Sequence, residues 1–366
     1  MRKSVHFPFH GQRFASMTLS SYNRCHSTET MKQNGFTLNE YKNKDSGNSF
    51  LSPVLTDLEA VNRIIRQQMR SDIALVGRIA EYLINAGGKR IRPVLVLLMA
   101  RALGYQGKQH QTLAATIEFI HTATLLHDDV VDESELRRGI PSANALFGNA
   151  SSVLVGDLLY TRAFQMMVSV GNMRILEVLA DATNLIAEGE VMQLMNARNA
   201  DIDEDGYMKV IYAKTAKLFE ASSVLGALVA QASEEKVGAA ARFGRAVGMA
   251  FQLIDDMLDY AGDIGVTGKN IGNDLKEGKM TLPLIYLMKN GSEKQKASVR
   301  KSVEENDENC FPAVLDAVRS SGAMDYTYQK ARQAVAEAVQ ALSALDSGQY
   351  KKSLLELSSF SVERNH

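Results

Sequence analysis

Asp128, Asp129 and Asp132 form an Asp-Asp-x-x-Asp pattern, and 127 positions later it returns as Asp255, Asp256 and Asp259. Each copy follows an apolar, helix-like run, FIHTATLL before the first and GMAFQLI before the second. On an α-helix, residues i and i+4 share a face and i+1 lies beside them, so each motif gathers three carboxylates at one spot. Like charges that close destabilise a bare helix. A fold that keeps both clusters calls for counter-ions, and a ligand set made only of oxygen selects a hard cation such as Mg2+. Two such clusters facing each other would hold roughly two to three Mg2+ ions and the phosphates they bridge.

Cations stand near both acidic patches. Arg137, Arg138 and Gly139 follow the first motif, and guanidinium groups bind phosphate oxygens bidentately while staying charged at any working pH. Upstream, Gly87, Gly88, Lys89, Arg90 and Arg92 precede an apolar helix whose first turn accepts Pro93. Glycines, three cations and a helix N-terminus make an anion site in miniature. The run YAKTAKLFEA adds Lys214, Thr215 and Lys217, and GVTGKNIGNDLKEGKMTLP carries Lys269, Asp274, Lys276 and Lys279 in a Gly-rich loop suited to closing over phosphates. Gly244, Gly248, Gln252, Asp255 and Asp259 share one helix face; the two glycines either leave room along it or let a second helix approach. No nucleotide P-loop and no Gly-x-Gly-x-x-Gly dinucleotide signature occurs.

Helices must position these groups. From Leu51 onward the residues are mostly good helix formers, with five prolines. Thr56 with Glu59 reads as a capping box opening a helix whose apolar stripe runs 58, 61, 64, 65 and 69. Runs 92–103, 111–133, 151–169, 173–197, 207–231, 235–261 and 281–290 read likewise, and alternating strand patterns are nearly absent. The expectation is an all-α fold, a single large helical domain (51–366) around a deep central cavity. The longest uncharged run, Ala221 to Ser233, falls short of the roughly 20 residues of a membrane span and reads as a buried helix. A formal net charge of -1 argues against nucleic acid as partner. Two cysteines, Cys25 and Cys310, build neither a disulfide framework nor a Cys/His zinc site. Residues 1–50 form an N-terminal extension. The first 28 lack Asp and Glu but hold Arg2, Lys3, Arg13 and Arg24, like a mitochondrial transit peptide; their amphipathic spacing is poor, and a disordered tail, or a start at Met17 or Met31, is the preferred reading. Cytoplasmic location is the reading, with the mitochondrial matrix as its alternative.

The motifs GGKRIRP, LLHDDVVD…RRG, VLVGDLLYTRAF, KTAKLF, FQLIDDMLDY and GNDLKEGKMTLP resemble, in order, those of the trans-isoprenyl diphosphate synthases, and the likeness spans 51–366. Within that family it is greatest to the bacterial octaprenyl diphosphate synthases of ubiquinone side-chain synthesis. Lys269-Asn270 departs from the family's usual Lys-Pro. The resemblance implies an isoprenoid-synthase-like bundle, a homodimer, and a prenyltransferase that extends an allylic diphosphate with isopentenyl diphosphate. It implies that Lys89, Arg92, His121 and Arg138 hold the isopentenyl diphosphate, and Arg137, Lys214, Thr215, Gln252 and Lys269 the allylic one. Asp128, Asp132 and Asp255 would be the principal Mg2+ ligands, supported by Asp129, Asp256 and Asp259; with Lys214 they are the expected catalytic set. His121 and His127 read as packed hydrogen-bonding residues rather than general bases. Small residues below the first motif, Ala123 and Thr124, leave room for a long product, near C40. Three rivals remain: a shorter-chain synthase; a class I terpene cyclase, which would normally carry a different second metal motif; and a non-catalytic partner subunit, which would be expected to have lost acidic or basic residues.

Overall fold

A computed structural model describes residues 49–137, 139–261 and 272–363. Expectations for residues 1–48, Arg138, Lys269 and Asn270 lie outside the described residues. After a 3-10 turn, Ser49–Val54, come α1 (Leu55–Gln68), α2 (Ala74–Asn85), α3 (Ile91–Ala102) and α4 (Gln109–Val131). Strands β1 (Leu136–Arg137) and β2 (Ile140–Pro141) pair antiparallel, with Arg137 opposite Ile140. Then follow α5 (Ala143–Phe147), α6 (Asn149–Ser169), α7 (Met173–Asn196), α8 (Glu204–Ile211), α9 (Lys217–Val229) and α10 (Glu234–Ala261). The C-terminal part holds α11 (Asn273–Lys276), α12 (Leu282–Asn290), α13 (Glu293–Glu304), α14 (Phe311–Ser320), α15 (Ala323–Ala341) and α16 (Gln349–Glu363). The all-α expectation holds.

Two apolar cores organise these helices. The larger is centred on α3, where Val94 through Ala100 have no exposed surface. A helix apolar all round belongs in an interior. α9 is the same kind of helix, buried from Ala221 through Val229, in line with the reading of that uncharged run. The two pack closely because Gly226 has no side chain: a Cβ there would stand 2.8 Å from Met99 Cβ and Val96 O. The smaller core gathers the end of α10 with α12, α13 and α14. α10 joins the two. Its Phe243 and Val247 lie in the first core, and its Leu253, Ile254 and Tyr260 in the second. The second aspartate motif therefore stands on a rigid strut about 42 Å long.

Two local expectations need correction. Thr56 does not cap a helix: α1 begins at Leu55 with Val54 as its cap and no side-chain cap bond. The chain enters α1 from a 3-10 turn, so there is no extended break at Thr56 to cap. The run 207–231 is also not one regular helix. It is interrupted at Tyr212–Ala216 by a wider π-type turn.

Candidate active site

The first motif ends α4. Asp132 caps the helix, and Glu133, in the left-handed region (φ 50), turns the chain away. The β1–β2 hairpin folds Arg137 back onto Asp129. Arg137 Nε lies 2.8 and 2.9 Å from the two Asp129 oxygens and Nη2 lies 2.6 Å from Oδ1. Asn144 Nδ2 donates to the Asp129 carbonyl at 3.0 Å. Asp129 is 2% exposed, so this pairing answers the cost of a buried carboxylate.

The second motif, at the end of α10, repeats this arrangement with neutral donors. Asp256 is 4% exposed. Tyr207 Oη donates to its Oδ2 at 2.5 Å and Gln252 Nε2 to its Oδ1 at 2.6 Å. Asp259 accepts from the backbone N–H groups of Asn273 (3.2 Å) and Asp274 (3.1 Å), tying α11 to the motif.

Two bridges bring the motifs together. The first is the π-type turn, a feature that recurs at functional sites. Lys214 Nζ lies 4.0 Å from Asp128 Oδ2 and donates to Glu190 Oε2 at 2.7 Å. The next residue, Thr215, donates to Gln252 Oε1 at 2.8 Å, and Gln252 holds Asp256. The second bridge is Lys279. Its Nζ donates to Asp132 Oδ2 at 3.2 Å, and its backbone N–H donates to the carbonyl of Asp274, the residue whose own N–H meets Asp259. Residues 127 apart in the chain thus share one site.

The chain matches the Polyprenyl synthetase family over residues 73–319. The chain belongs to the polyprenyl synthetase family. The synthase is thereby a prenyltransferase. It is 49% identical to the octaprenyl diphosphate synthase of Escherichia coli (strain K12), over 84% of this chain and 96% of that one. It is 43% identical to an all-trans-nonaprenyl-diphosphate synthase (geranyl-diphosphate specific) of Rhodobacter capsulatus, over 87% and 98%. Among solved structures, it superposes with TM-score 0.84 on a polyprenyl synthase of Caulobacter crescentus CB15 complexed with calcium and isoprenyl diphosphate. That match is 41% identical and covers 88% of this chain and 100% of the other.

In the synthase the basic groups near α3 form a second neighbourhood. Gly87 and Gly88 take positive φ, and so does Arg90, the residue before α3. Arg90 pairs with the buried Glu118 of α4. Arg92 stacks on Phe219, its guanidinium carbon 4.4 Å from the ring centre, and its Nη1 meets His121 Nε2 at 3.0 Å. Burial lowers the Arg92 pKa to about 10, and the carboxylates of Glu118 and Asp255 oppose the drop. Arg92 thus feels the second motif. Lys89 Nζ lies 5.2 Å from the ring centre of Phe360 in α16. His127 turns to α6, with its Nε2 3.2 Å from the Val153 carbonyl, a packed role as the sequence suggested. Gly244 and Gly248 settle the other way: Cβ atoms there would meet Phe219 O at 2.5 Å and Ala216 Cα at 2.6 Å, so these glycines admit α9 and the π-type turn. Ala123 is fully enclosed, whereas Thr124 is half-buried and donates to the His121 carbonyl at 2.9 Å.

Among the described residues no three carboxylate, imidazole or thiol groups stand together closely enough to hold a metal ion as they lie, so the expected gathering of three carboxylates at each motif is not seen, although negative charge is concentrated there. Asp128 is pushed up to about 6, chiefly by burial, with Glu190 and Asp132 adding to the rise and Lys214 opposing it. Asp256 is pushed up to about 7 by burial, against the hydrogen bonds of Tyr207 and Gln252 and with Asp255 and Asp259 adding to the rise. Asp274, buried beside Asp259 and Asp256, is raised as well. The site carries more negative charge than its own lysines neutralise. Its oxygen donors suit a hard ion. Glu190 and Tyr207 complete the site without having been singled out in the sequence, whereas Lys279 was already named among the loop lysines. For Glu190 the one legible signal was the preceding Gly189, a glycine inside an otherwise helix-forming run. A Cβ on Gly189 would stand 2.9 Å from both Ala213 Cβ and Lys214 N.

Proposed function

We propose that this synthase extends an allylic diphosphate, farnesyl diphosphate, with successive isopentenyl diphosphates to octaprenyl diphosphate (C40), for the side chain of a quinone. The observation that carries this reading is the double bridge: Lys214 and Thr215 connect Asp128 to Asp256, and Lys279 connects Asp132 to Asp274. A diphosphate between the motifs would meet cations on either side. The name of the Escherichia coli relative supports the product, and the ligands of the Caulobacter crescentus structure support a divalent ion with an isoprenyl diphosphate.

In this proposal Asp128, Asp132 and Asp255 hold Mg2+. Asp129, Asp256 and Asp259 support the ligands from behind, because both oxygens of each already accept bonds from protein donors. When bound, Mg2+ neutralises charge growing on the departing diphosphate. Lys214 and Lys279 contribute in the same sense from fixed positions, so little reorganisation is needed as the carbon–oxygen bond breaks. Thr215 and Gln252 orient the allylic end, with Arg137 and Lys269 joining them. Lys89, Arg92, His121 and Arg138 hold isopentenyl diphosphate so that its double bond reaches the allylic cation. The proton then lost goes to the departing diphosphate. The protein forms no covalent intermediate.

We also propose a homodimer in the cytoplasm. Among the described residues no helix is long and apolar enough to cross a membrane. Leu154, Phe164 and Val168 on α6 and Val191, Leu194 and Met195 on α7 are exposed, an apolar surface that a second copy would cover. The interface is then α6 and α7. Sedimentation of the purified chain should show two-chain particles, and Leu154→Glu should shift them to single chains.

The functional test is incubation of the purified chain with farnesyl and isopentenyl diphosphates and Mg2+, followed by mass spectrometry. Octaprenyl diphosphate is expected. A hydrocarbon product would mark a cyclase, and absence of turnover a partner subunit.

A further inference from the structure

The π-type turn is gripped on two sides. Gly189 of α7 faces Ala213 and Lys214 N, and Gly248 of α10 faces Ala216 Cα and Cβ. Such a turn is rare and occurs as a single-turn bulge inside an otherwise α-helical segment. Relaxation by one residue would rotate its side chains by about 100° and carry Lys214 and Thr215 off their partners. Something must oppose that rotation. A polar cluster along the turn does so. Tyr212, the first residue of the turn, donates through Oη to Glu220 Oε2 at 2.9 Å. Lys217 Nζ, just past the turn, donates to Glu220 Oε1 at 2.7 Å. The Arg245 guanidinium of α10 lies 4.4 Å over the Tyr212 ring. Glu220 thus clasps the residues on both ends of the turn, one with each carboxylate oxygen.

We propose that Glu220 is a positioning residue for the allylic-diphosphate half of the site, acting through the turn that carries Lys214 and Thr215. This rests on the assignment of that half-site above. Glu220 has no direct part in the chemistry: its two oxygens serve Tyr212 and Lys217. Losing it should weaken capture of the allylic substrate and leave the isopentenyl pocket, built on α3 and α4, as it was.

The test is steady-state kinetics on the full chain, varying each substrate in turn, with calorimetric titration of inorganic pyrophosphate in Mg2+ as a readout independent of turnover. Glu220→Ala should raise KM for farnesyl diphosphate and the pyrophosphate Kd by about 5-fold or more, and change KM for isopentenyl diphosphate by less than about 2-fold. Glu220→Gln keeps two polar atoms in place and should recover most of the loss. Tyr212→Phe, which removes only a hydroxyl, should show the same selective loss at smaller size, even if Glu220→Ala fails to fold. On a Lys214→Ala background, Glu220→Ala should add only the part that reaches the site through Thr215, clearly less than its effect in the parent, because the two changes share the Lys214 contribution. Equal loss for both substrates, or an effect that multiplies fully with Lys214→Ala, would overturn the proposal. If Lys214→Ala alone leaves the allylic KM unchanged, the half-site assignment itself falls. If Lys214→Ala raises it and neither Glu220→Ala nor Tyr212→Phe does, only the role of Glu220 falls.

Discussion

Asp129 and Asp256 occupy the middle of their motifs and are held in different ways. Asp129 is held by a guanidinium, Asp256 by a phenol and an amide. Both are buried, so the difference decides what each costs when a partner is lost. Removing one member of a buried ion pair leaves a charge without compensation, typically 3–5 kcal/mol. Arg137→Ala should therefore destabilise the fold by roughly 3 kcal/mol in urea denaturation, apart from any effect on substrate binding. Adding Asp129→Asn should recover part of that loss, since the stranded charge is gone. If Arg137→Ala unfolds like the parent, Arg137 is held for phosphate alone and its clasp on Asp129 is energetically idle. Tyr207→Phe strands no cation, so it should cost less, about 1–2 kcal/mol.

At the scale of elements, the long helices named from the sequence up to residue 290 were legible because apolar residues recur with helical period over long runs, and their ends agree with the structure to within about three residues. Helix α2 (Ala74–Asn85) and the short α5 and α11 were not read from the sequence. The π-type turn was not legible. YAKTAKLFEA has an ordinary helical pattern, and the turn is imposed by glycines on α7 and α10 that are distant in sequence. The six aspartates were readable from spacing, and the resemblance divided them into principal and supporting ligands; the partners of Asp129 and Asp256 were not readable, because Arg137 and Tyr207 reach them through tertiary structure. Depth below the first motif is a further element-scale matter. Ala123 lies five residues before Asp128 on α4 and is fully enclosed; Thr124 is half-buried. Ala123→Tyr should shorten the product to about C15–C20, if the ring turns into the path of the growing chain rather than overpacking the helix contact. Thr124→Phe provides the comparison, since its site has more room. Chromatography of products, read beside melting temperature, separates the outcomes. An unchanged product spectrum from both stable variants would remove α4 from the control of chain length.

Across the whole molecule, the aspartate-bearing helices are also held by ties far from the site, one of them at the start of the fold. Asp57 of α1 accepts from Arg101 of α3 (Nε and Nη2, each 2.8 Å) and from Gln111 of α4 (2.7 Å), and His110 Nε2 lies 3.2 Å away. One carboxylate thus fastens α1 to α3 and α4, the helices that carry Arg92 and the first motif. Burial alone would raise the Asp57 pKa. His110 Nε2 beside the carboxylate and the hydrogen bonds of Arg101 and Gln111 outweigh it and hold the carboxyl well below the usual carboxylate range. A folded-state pKa below the unfolded value, about 3.9, gives stability that is present in full above that value and lost as pH falls toward the folded one. Asp57→Asn should therefore cost roughly 3 kcal/mol at pH 7, and its gap from the parent should narrow as the medium is acidified below about pH 4. Urea denaturation of both proteins at pH 7 and at successively lower pH measures this directly. A gap that stayed constant down to the acid limit of folding would mean that Asp57 contributes shape and hydrogen bonding but no charge-linked stability. The tie between the N-terminal helix and α3 and α4 would then rest on packing and hydrogen bonding rather than on charge.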